Sequence, residues 1–260
     1  MKKIYNQCLN VSENNHKYLK LSRDRAKGLI QEMEVAKAYS KLMKKDIKNN
    51  SKLIDVGCLS GHFLYSFRKR LNKSFHYAGL DPFSHHIMSA KSVWKNDANS
   101  EFKIGWAQKI PFKNKSFDFL ICSNVVTHIP SLIKPFKEFL RVTKKKIIIR
   151  TPIHDKSYRI QMVHNKNWWK YCNIEPLNEF DKKGNPKSFE YYDVHSRDYI
   201  NALVNSINPN AKIKYLKDNF FTKKNINSVK EKKTLPTRVI NGMQVTDLLI
   251  VPNYFVIIEL

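Results

Sequence analysis

Two glycines and one aspartate carry the strongest chemical signal in this sequence. Gly57 and Gly61 follow the apolar run 53–56 in the stretch SKLIDVGCLSGHF. Glycine permits a tight turn from a strand into a helix and lets backbone approach a ligand closely. Asp81 ends the next apolar segment, 24 residues after Gly57, where a carboxylate accepts hydrogen bonds from ribose hydroxyls. The spacing predicts a site for an adenosine-containing cofactor.

The residues between and after these glycines disfavour two common classes of nucleotide. A dinucleotide fingerprint needs G-x-G-x-x-G, but Leu59 and His62 occupy its second and third glycine positions. A pyrophosphate would therefore meet side chains where it needs bare backbone. The Gly-Lys-Ser/Thr of a P-loop is missing as well, which argues against a nucleoside triphosphate.

Short apolar segments alternate with amphipathic ones along most of the chain. The pattern predicts strands at 51–57, 75–81, 101–107, 117–124, 145–152, 211–217 and 254–260. It predicts helices at 23–48, 63–71, 84–93, 131–141 and 196–206. This alternation is typical of a doubly wound α/β fold, in which helices cover both faces of a parallel sheet.

The rhythm divides the chain into one main unit with additions. We expect an N-terminal helical segment at 1–50 and a single domain at 51–260. Residues 153–194 are aromatic, polar and rich in turns, which predicts an insertion on the substrate side. A lysine-rich excursion at 222–250 precedes the last strand.

The net charge of +25 favours anionic partners such as nucleic acid, an acidic membrane surface or a phosphorylated substrate. The lysines are spread along the whole chain, however, and Asn and Ile are abundant too, as a coding bias toward A and T would produce. We therefore interpret most of the charge as solvated surface and do not favour nucleic acid as a partner.

The cysteines and the apolar runs indicate where the protein works. Cys8, Cys58, Cys122 and Cys172 lack the close spacing of a zinc site or a redox motif, so we expect a reducing compartment and no metal. The N-terminus lacks the apolar run of a signal peptide, and no run approaches the roughly 18 apolar residues that span a bilayer. We expect a cytoplasmic protein without a transmembrane segment, and its oligomeric state stays open.

Four motifs together resemble the class I S-adenosylmethionine-dependent methyltransferases. LIDVGCLSG is similar to the family's first motif, and YAGLDPFSHHIMSAK resembles its second. GWAQKIPFKNKSFDFLICSNVVTHIP is similar to the third and fourth, and FLRVTKKKIIIRTP to the following helix and fifth strand. The resemblance covers about 51–152. It implies a Rossmann-like α/β fold with a mostly parallel seven-stranded sheet, helices on both faces and a final antiparallel strand.

The resemblance also implies S-adenosyl-L-methionine as the cofactor and a set of residues that contact it. These are Asp55, Gly57, Cys58, Leu59, Gly61, Asp81, Pro82, Trp106, Ala107, Gln108, Ser123, Asn124 and Val125. The chain departs from the family pattern at three positions. Leu59 replaces the middle glycine, Trp106 stands where an acidic residue usually meets the adenine, and Thr127 replaces the first residue of a His pair.

Two histidines are candidates for catalysis. A sulfonium is an intrinsically reactive methyl donor, so the protein mainly holds the acceptor in line, and a high-pKa oxygen also needs a general base. His128 follows the fourth predicted strand and His154 the fifth, and a structural role for either is an equal alternative. We favour His128 as the base and His154 as a group that orients the acceptor.

Weaker candidates lie in and beside the predicted insertion. His195, Tyr191 and Tyr192 end it, and the Trp168–Trp169 pair could stack on a sugar, a base or another flat ring, or form a small core of its own. The insertion is expected to close over the acceptor, because specificity in doubly wound enzymes resides in such loops.

Three functions remain open at this stage. The first is methylation of O or N on a small molecule or sugar, in surface-polysaccharide or secondary-metabolite assembly, without a metal. The second is methylation of RNA, suggested by the charge of +25. The third is a cofactor-binding or scaffold protein that has lost catalysis, suggested by Leu59 and Trp106.

Overall fold

A mostly parallel sheet forms the centre of the protein. The computed structural model describes residues 16–163, 181–185, 189–220, 237–240, 243–246 and 251–260. The strands of the main sheet are β1 (Lys52–Val56), β2 (His76–Asp81), β3 (Ser100–Ile104), β4 (Phe117–Ser123), β5 (Thr143–His154), β8 (His195–Ser196), β9 (Lys212–Lys217) and β12 (Asn253–Glu259). Two further antiparallel pairs are β6 (Gln161–Val163) with β7 (Phe189–Tyr191), and β10 (Thr237–Ile240) with β11 (Met243–Thr246).

Helices connect the strands. They are α1 (His16–Ala26), α2 (Glu34–Met43), α3 (His62–Arg70), α4 (Ser84–Val93), α5 (Ile133–Val142) and α6 (Arg197–Ile207), with a short 3-10 turn at Val126–His128. None of the helices in the described part of the chain is both long and apolar enough to cross a membrane.

The strand order confirms the predicted fold class. The main path runs β3-β2-β1-β4-β5-β12-β9, and the short β8 pairs with the end of β5. Strands β1 to β5 are mutually parallel, whereas β12 is antiparallel to both of its neighbours. This is a Rossmann-like sheet of seven strands along the main path, with a final antiparallel strand. We call the side where β1 to β5 end the carboxyl edge, and the side where they begin the amino edge.

Apolar side chains fill both faces of the sheet because the side chains of a strand alternate in direction. Leu53 joins a cluster with residues of α2 and α3, including Tyr39 and Phe67. Ile54, its neighbour in β1, belongs to the opposite cluster with residues of α5 and α6. The Tyr39 hydroxyl donates a hydrogen bond to the backbone oxygen of Cys122 in β4, at 3.1 Å. The described part of the N-terminal segment therefore packs into the same core.

Three predicted boundaries were wrong. The helix expected at 23–48 is two helices, because Gly28 adopts a left-handed φ of 71° and ends α1. The N–H of Leu29 donates to the Asp24 oxygen and that of Gly28 to the Arg25 oxygen, the hydrogen-bond pattern of a Schellman motif. The strand expected at 101–107 ends at Ile104, where a tight turn follows. Strand β5 runs further than expected, to His154.

The predicted insertion begins and ends at the carboxyl edge. Strand β5 reaches the edge at His154, and Tyr158 then pairs with Val194 in an antiparallel bridge. Between them, strands β6 and β7 pair with each other, and residues 181–185 form a turn. Trp168 and Trp169 lie outside the described residues, and so does the lysine-rich excursion apart from β10 and β11.

An enclosed ion pair joins the carboxyl ends of β5 and β9. Arg150 Nε lies 2.6 Å from the Asp218 carboxylate, and the two side chains are 2% and 0% exposed. Arg150 also donates to the Asn124 side-chain oxygen at 2.6 Å. Removing one partner of such a pair leaves a charge buried without its counter-ion.

We predict that Asp218→Ala lowers the free energy of unfolding by about 3 to 5 kcal/mol, because it strands the Arg150 charge. Asp24→Ala is the matched control, since its partner Lys20 is 71% exposed, and it should cost less than about 1 kcal/mol. Urea denaturation measures both. Equal losses in the two variants would contradict a stabilising role for the enclosed pair.

Candidate functional site

The connection from β1 to α3 is held in a left-handed backbone. Gly57, Leu59 and Gly61 have φ values of 86°, 50° and 72°. Leu59 thus adopts a left-handed conformation at a steric cost that glycine would avoid. The N–H groups of Gly57 and Cys58 both donate to the Leu80 oxygen of β2, at 2.7 and 3.1 Å. The loop therefore keeps its turn despite the leucine.

Both glycines are also required by packing. A Cβ atom on Gly57 would lie 2.3 Å from Val125 Cγ2, and one on Gly61 would lie 2.8 Å from Phe102 Cε1 and from Trp94 Nε1. The sequence analysis assigned these glycines to the close approach of a ligand. The structure adds a second reason, because protein side chains already occupy the positions that their Cβ atoms would take.

Asp81 is a buried carboxylate held by two backbone hydrogen bonds. It is 2% exposed at the carboxyl end of β2. One carboxylate oxygen accepts the Leu59 N–H and the other accepts the Phe83 N–H, both at 3.1 Å. Each oxygen has a second lone pair that a hydroxyl can use. Burial raises the pKa of Asp81 to about 7, against the opposing effect of the two backbone hydrogen bonds.

Two aromatic side chains flank the connections after β2 and β3. Trp106 is 46% exposed, and its ring centroid lies 6.4 Å from that of Phe83 at an angle of 67°. Phe83 in turn stacks on His85 at 5.7 Å. A flat ring bound beside Asp81 would meet these aromatic side chains. Ala107 is buried in the core behind them.

Asp55 and Cys58 support the loop from within the fold. The Tyr77 hydroxyl donates to the Asp55 carboxylate at 2.6 Å, and burial raises the pKa of Asp55 to about 7. The Cys58 thiol is buried, and a Cβ atom on Gly79 would lie 2.7 Å from its sulfur. We therefore assign the Cys58 side chain to the core and leave only its backbone to the predicted cofactor contact.

Helix α1 also contributes to this edge, although no sequence motif predicts it. Ser22 and Ser60 share a hydrogen bond at 2.9 Å, and Ser60 donates to Ser89 of α4 at 3.0 Å. The Tyr18 hydroxyl is buried close enough to Asp81 and Arg25 for both charges to affect its pKa, which burial raises. Helix α1 thus lies against the loop and beside Asp81. The motif pattern gave no signal for it, since α1 precedes the first motif.

The connection after β4 closes onto the β1 loop. Asn124 follows Ser123 with a left-handed φ of 56°. Its N–H donates to the Arg150 oxygen at 2.9 Å, and its side chain accepts from the Arg150 guanidinium. Val125 comes next and packs on Gly57. The structure therefore brings the predicted residues after β1, β2, β3 and β4 to one edge of the sheet.

The two candidate histidines differ in burial and in bonding. His128 is half-buried, and its Nδ1 lies 2.9 Å from the Tyr191 oxygen. A carbonyl only accepts, so Nδ1 carries the proton and the neutral ring keeps its lone pair on Nε2. His154 is exposed, and its Nδ1 accepts the Lys156 N–H at 3.3 Å. The neutral ring of His154 therefore carries its proton on Nε2, the opposite tautomer.

The end of the insertion is tied to the 3-10 turn after β4. The Asp193 N–H donates to the Thr127 oxygen at 2.7 Å, and the Asp193 carboxylate pairs with Arg159 at 2.8 Å. His195 is buried, its ring stacks on Tyr199 at 5.3 Å, and burial lowers its pKa. The weaker candidates His195, Tyr191 and Tyr192 thus lie beside His128 at the same edge.

The part of the chain that the structure describes contains no set of metal ligands. No group of three or more His, Cys, Asp or Glu side chains there is close enough to hold an ion.

Comparison with known proteins identifies the arrangement. Residues 47–192 match the sequence model of the family described as "Methyltransferase domain". The tRNA U34 carboxymethyltransferase of Nautilia profundicola is 32% identical over 92 residues, which cover 34% of this chain and 29% of that protein. The demethylmenaquinone methyltransferase of Staphylococcus carnosus is 27% identical over 144 residues, covering 55% of this chain and 56% of that protein. The chain thus matches about half or less of the length of these relatives.

A solved structure gives the same fold. A SAM-dependent methyltransferase from Methanosarcina mazei superposes with a TM-score of 0.52 at 16% identity, over 84% of this chain and 96% of that one. At this identity the likeness speaks for the fold alone.

We predict that Gly57→Ala destabilises the protein more than Gly184→Ala does. Both glycines have φ near 80°, but a Cβ atom on Gly184 would meet nothing within 4 Å. Gly184→Ala should therefore lower the free energy of unfolding only by its backbone strain, about 1 kcal/mol. Gly57→Ala should lower it further, because its Cβ atom also clashes with Val125. Adding Val125→Ala to Gly57→Ala removes the clashing methyl groups, so the double variant should regain part of the lost melting temperature. Equal losses in the two glycine variants would contradict the packing argument.

The affinity for S-adenosylmethionine should rise with pH up to about 7 and then level off. Ribose hydroxyls donate to the ionised form of Asp81, whose pKa is raised to about 7, so binding below that pH releases a proton, with a limit of about tenfold per pH unit. Titration calorimetry at a series of pH values, from acidic to alkaline, measures this affinity. Asp81→Asn should bind more weakly and lose the pH dependence, whereas Asp55→Asn should keep it. A wild-type affinity that does not change with pH would contradict the assignment.

Proposed function

Because the chain belongs to the methyltransferase domain family, we propose that it transfers a methyl group from S-adenosylmethionine to an oxygen or nitrogen of a small molecule or sugar. The cofactor supplies an electrophilic methyl group on a sulfonium, and its thioether product leaves. The observation that carries the proposal is Asp81, a buried carboxylate at the end of β2 that is hydrogen-bonded to the loop after β1.

The chain offers a group for each part of this cofactor. Asp81 would accept the ribose hydroxyls, and the backbone of 57–61 would lie along the methionine portion. Phe83 and Trp106 would flank the adenine, with Pro82, Ala107 and Gln108 around them. Ser123, Asn124 and Val125 would close the side of the transferred methyl group. Leu59 is compatible with this placement, since it has a left-handed backbone of the kind that glycine adopts freely.

His128 is the proposed general base. Its Nδ1–H is fixed on the Tyr191 carbonyl, which leaves the Nε2 lone pair to take the proton of an acceptor hydroxyl or amine. His154 presents Nε2–H in its neutral form, which suits donation to an acceptor atom more than removal of a proton. In the transfer the acceptor atom gains the methyl group and loses its proton to His128.

The surroundings of the two histidines favour a flat or ring-shaped acceptor. Tyr158 is 44% exposed and lies 5.2 Å from His154 between ring centroids, whereas Tyr192, at 6.0 Å from His128, is buried. An exposed ring such as that of Tyr158 can stack on sugars and aromatics. Arg159 is held by Asp193 and lies over the Tyr191 ring, so it is committed to the protein.

RNA is the second candidate acceptor. It is supported by the net charge of +25 and by the relative from Nautilia profundicola, whose name refers to tRNA. In the described connections at the carboxyl edge, the cations include Lys109, Lys156, the paired Arg159 and, within the insertion, Lys182 and Lys183. A third candidate is a protein that binds the cofactor without catalysis, which Leu59 and Trp106 suggested.

Two measurements separate the three functions. Calorimetry with S-adenosylmethionine tests the cofactor, and transfer of its labelled methyl group is then measured with pools of sugars, hydroxylated aromatics, amines and RNA. Label in a small molecule supports the proposal, whereas label in RNA would make RNA the acceptor in place of a small molecule. Binding without transfer to any pool favours the third function, and no binding contradicts the cofactor assignment.

Once an acceptor is known, His128→Ala should lower turnover by about 10²- to 10⁴-fold with little change in cofactor affinity, because it removes the base. His154→Ala should mainly raise KM, since it only orients the acceptor. Steady-state kinetics and calorimetry measure the two variants side by side. If His128→Ala unfolds the protein or releases the cofactor, its role is structural, and if it keeps full rate, transfer rests on positioning alone.

A further inference from the structure

The amino edge of the sheet is a face of exposed lysines. They lie in the connections that lead into β1, β2, β3, β4, β5 and β9, or in the first residues of these strands. The eleven are Lys44, Lys45, Lys48, Lys52, Lys73, Lys95, Lys113, Lys115, Lys144, Lys145 and Lys212. The chain positions are far apart, and the topology alone gathers them, because parallel strands all begin at the same edge.

Most of this charge is not compensated within the described part of the protein. The acidic side chains at this edge are already in ion pairs: Asp46, Asp97, Glu101, Asp118 and Glu259. Of the eleven lysines, Lys145 pairs with Asp118, and the Lys115 ammonium donates to the backbone oxygens of Leu140 and Thr143. The other nine make no ion pair among the described residues.

Helix stability accounts for only part of this pattern. Helices α2 to α5 end at the amino edge, and cations there complement the helix dipole within the last turn. Lys44 and Lys95 fit that role. Lys52, Lys73 and Lys144 lie outside the helices, at or just before the start of a strand, where the dipole gives them no such benefit.

The shape and composition of the face select the partner. Seven strands spaced about 4.8 Å apart give an edge roughly 30 Å long, flanked by helices on either side. Among the described residues, the large apolar side chains that are exposed all lie elsewhere, for example Met88, Trp106 and Tyr199. The face therefore offers no aromatic platform for bases, as single-stranded nucleic acid requires. Flexible lysines on a broad edge suit a planar anionic surface, where each contributes separately.

We propose that the amino edge docks this protein on an anionic lipid surface. The attachment is electrostatic and peripheral, and it does not depend on the proposed methyl transfer. It turns the carboxyl edge, with Asp81 and His128, away from the lipid by about the length of a strand, roughly 20 Å. The candidate site then opens to water, where it meets an acceptor that is dissolved rather than embedded in the bilayer.

Sedimentation with vesicles tests the proposal. The full chain should bind vesicles that contain about 30% phosphatidylglycerol in phosphatidylcholine, fail to bind phosphatidylcholine alone, and be released by about 0.5 M NaCl. The variant Lys44→Gln, Lys45→Gln, Lys73→Gln, Lys144→Gln should lose at least about 100-fold in affinity. All four side chains are exposed and unpaired, so thermal melting should show an unchanged fold.

A matched variant removes the same charge from other faces. Lys27→Gln, Lys109→Gln, Lys137→Gln, Lys156→Gln changes four exposed lysines away from the amino edge, and it should bind vesicles nearly as well as the wild type. Equal loss in both variants would mean that net charge alone is sensed and would overturn the proposal. Failure of the wild-type protein to bind the anionic vesicles would overturn the proposal as well. Tighter binding of duplex or single-stranded RNA through the same four lysines would reassign the face to nucleic acid.

Discussion

The hydrogen bond from the Leu59 N–H to the Asp81 carboxylate is the contact on which the candidate site depends. It joins the end of β1 to the end of β2, two strands that the chain connects only through a whole helix. The bond forms because the loop after β1 turns through left-handed residues and aims a backbone donor across the edge. Gly57 then admits Val125 from the end of β4. One turn geometry thus positions three strand ends at once.

Burial gives this edge its electrostatic character. Burial raises the pKa of both Asp55 and Asp81 to about 7, and the N–H or O–H donors on each carboxylate oppose this shift only in part. A neutral donor compensates less of the desolvation cost than a cation would. At the opposite edge lie nine exposed lysines that make no ion pair among the described residues. The fold therefore places two buried carboxylates toward one edge of the sheet and a group of exposed lysines at the other.

The insertion contributes chemistry that neither histidine has alone. His128 follows β4, but the carbonyl that fixes its tautomer belongs to Tyr191 in β7. The Asp193 N–H bonds to Thr127 and holds the two segments together. The proposed base is thus set by a residue 63 positions further along the chain. The proposed base is therefore joined to the segment that was expected to contact the acceptor.

Local pattern was enough to predict the seven strands of the main path, most helices and the doubly wound fold class, because side-chain periodicity reports which face of an element is buried. The short strands β6, β7, β8, β10 and β11 were not predicted. The glycine loop and Asp81 were also readable, since the loop is contiguous and Asp81 lies at the end of the very next strand. The break at Gly28 was missed, because the apolar spacing continues across it while a left-handed cap ends the helix.

Other features were decided by tertiary structure alone. The Arg150–Asp218 pair, the packing of α1 beside Asp81 and the tautomer of His128 each join residues distant in the chain. The lysines looked evenly spread along the sequence, which supported their interpretation as plain surface. Parallel pairing brings the beginnings of six strands to one edge and their ends to the other. Which charges become neighbours is therefore set by strand direction and order, and these depend on long-range contacts that no short segment of the sequence contains.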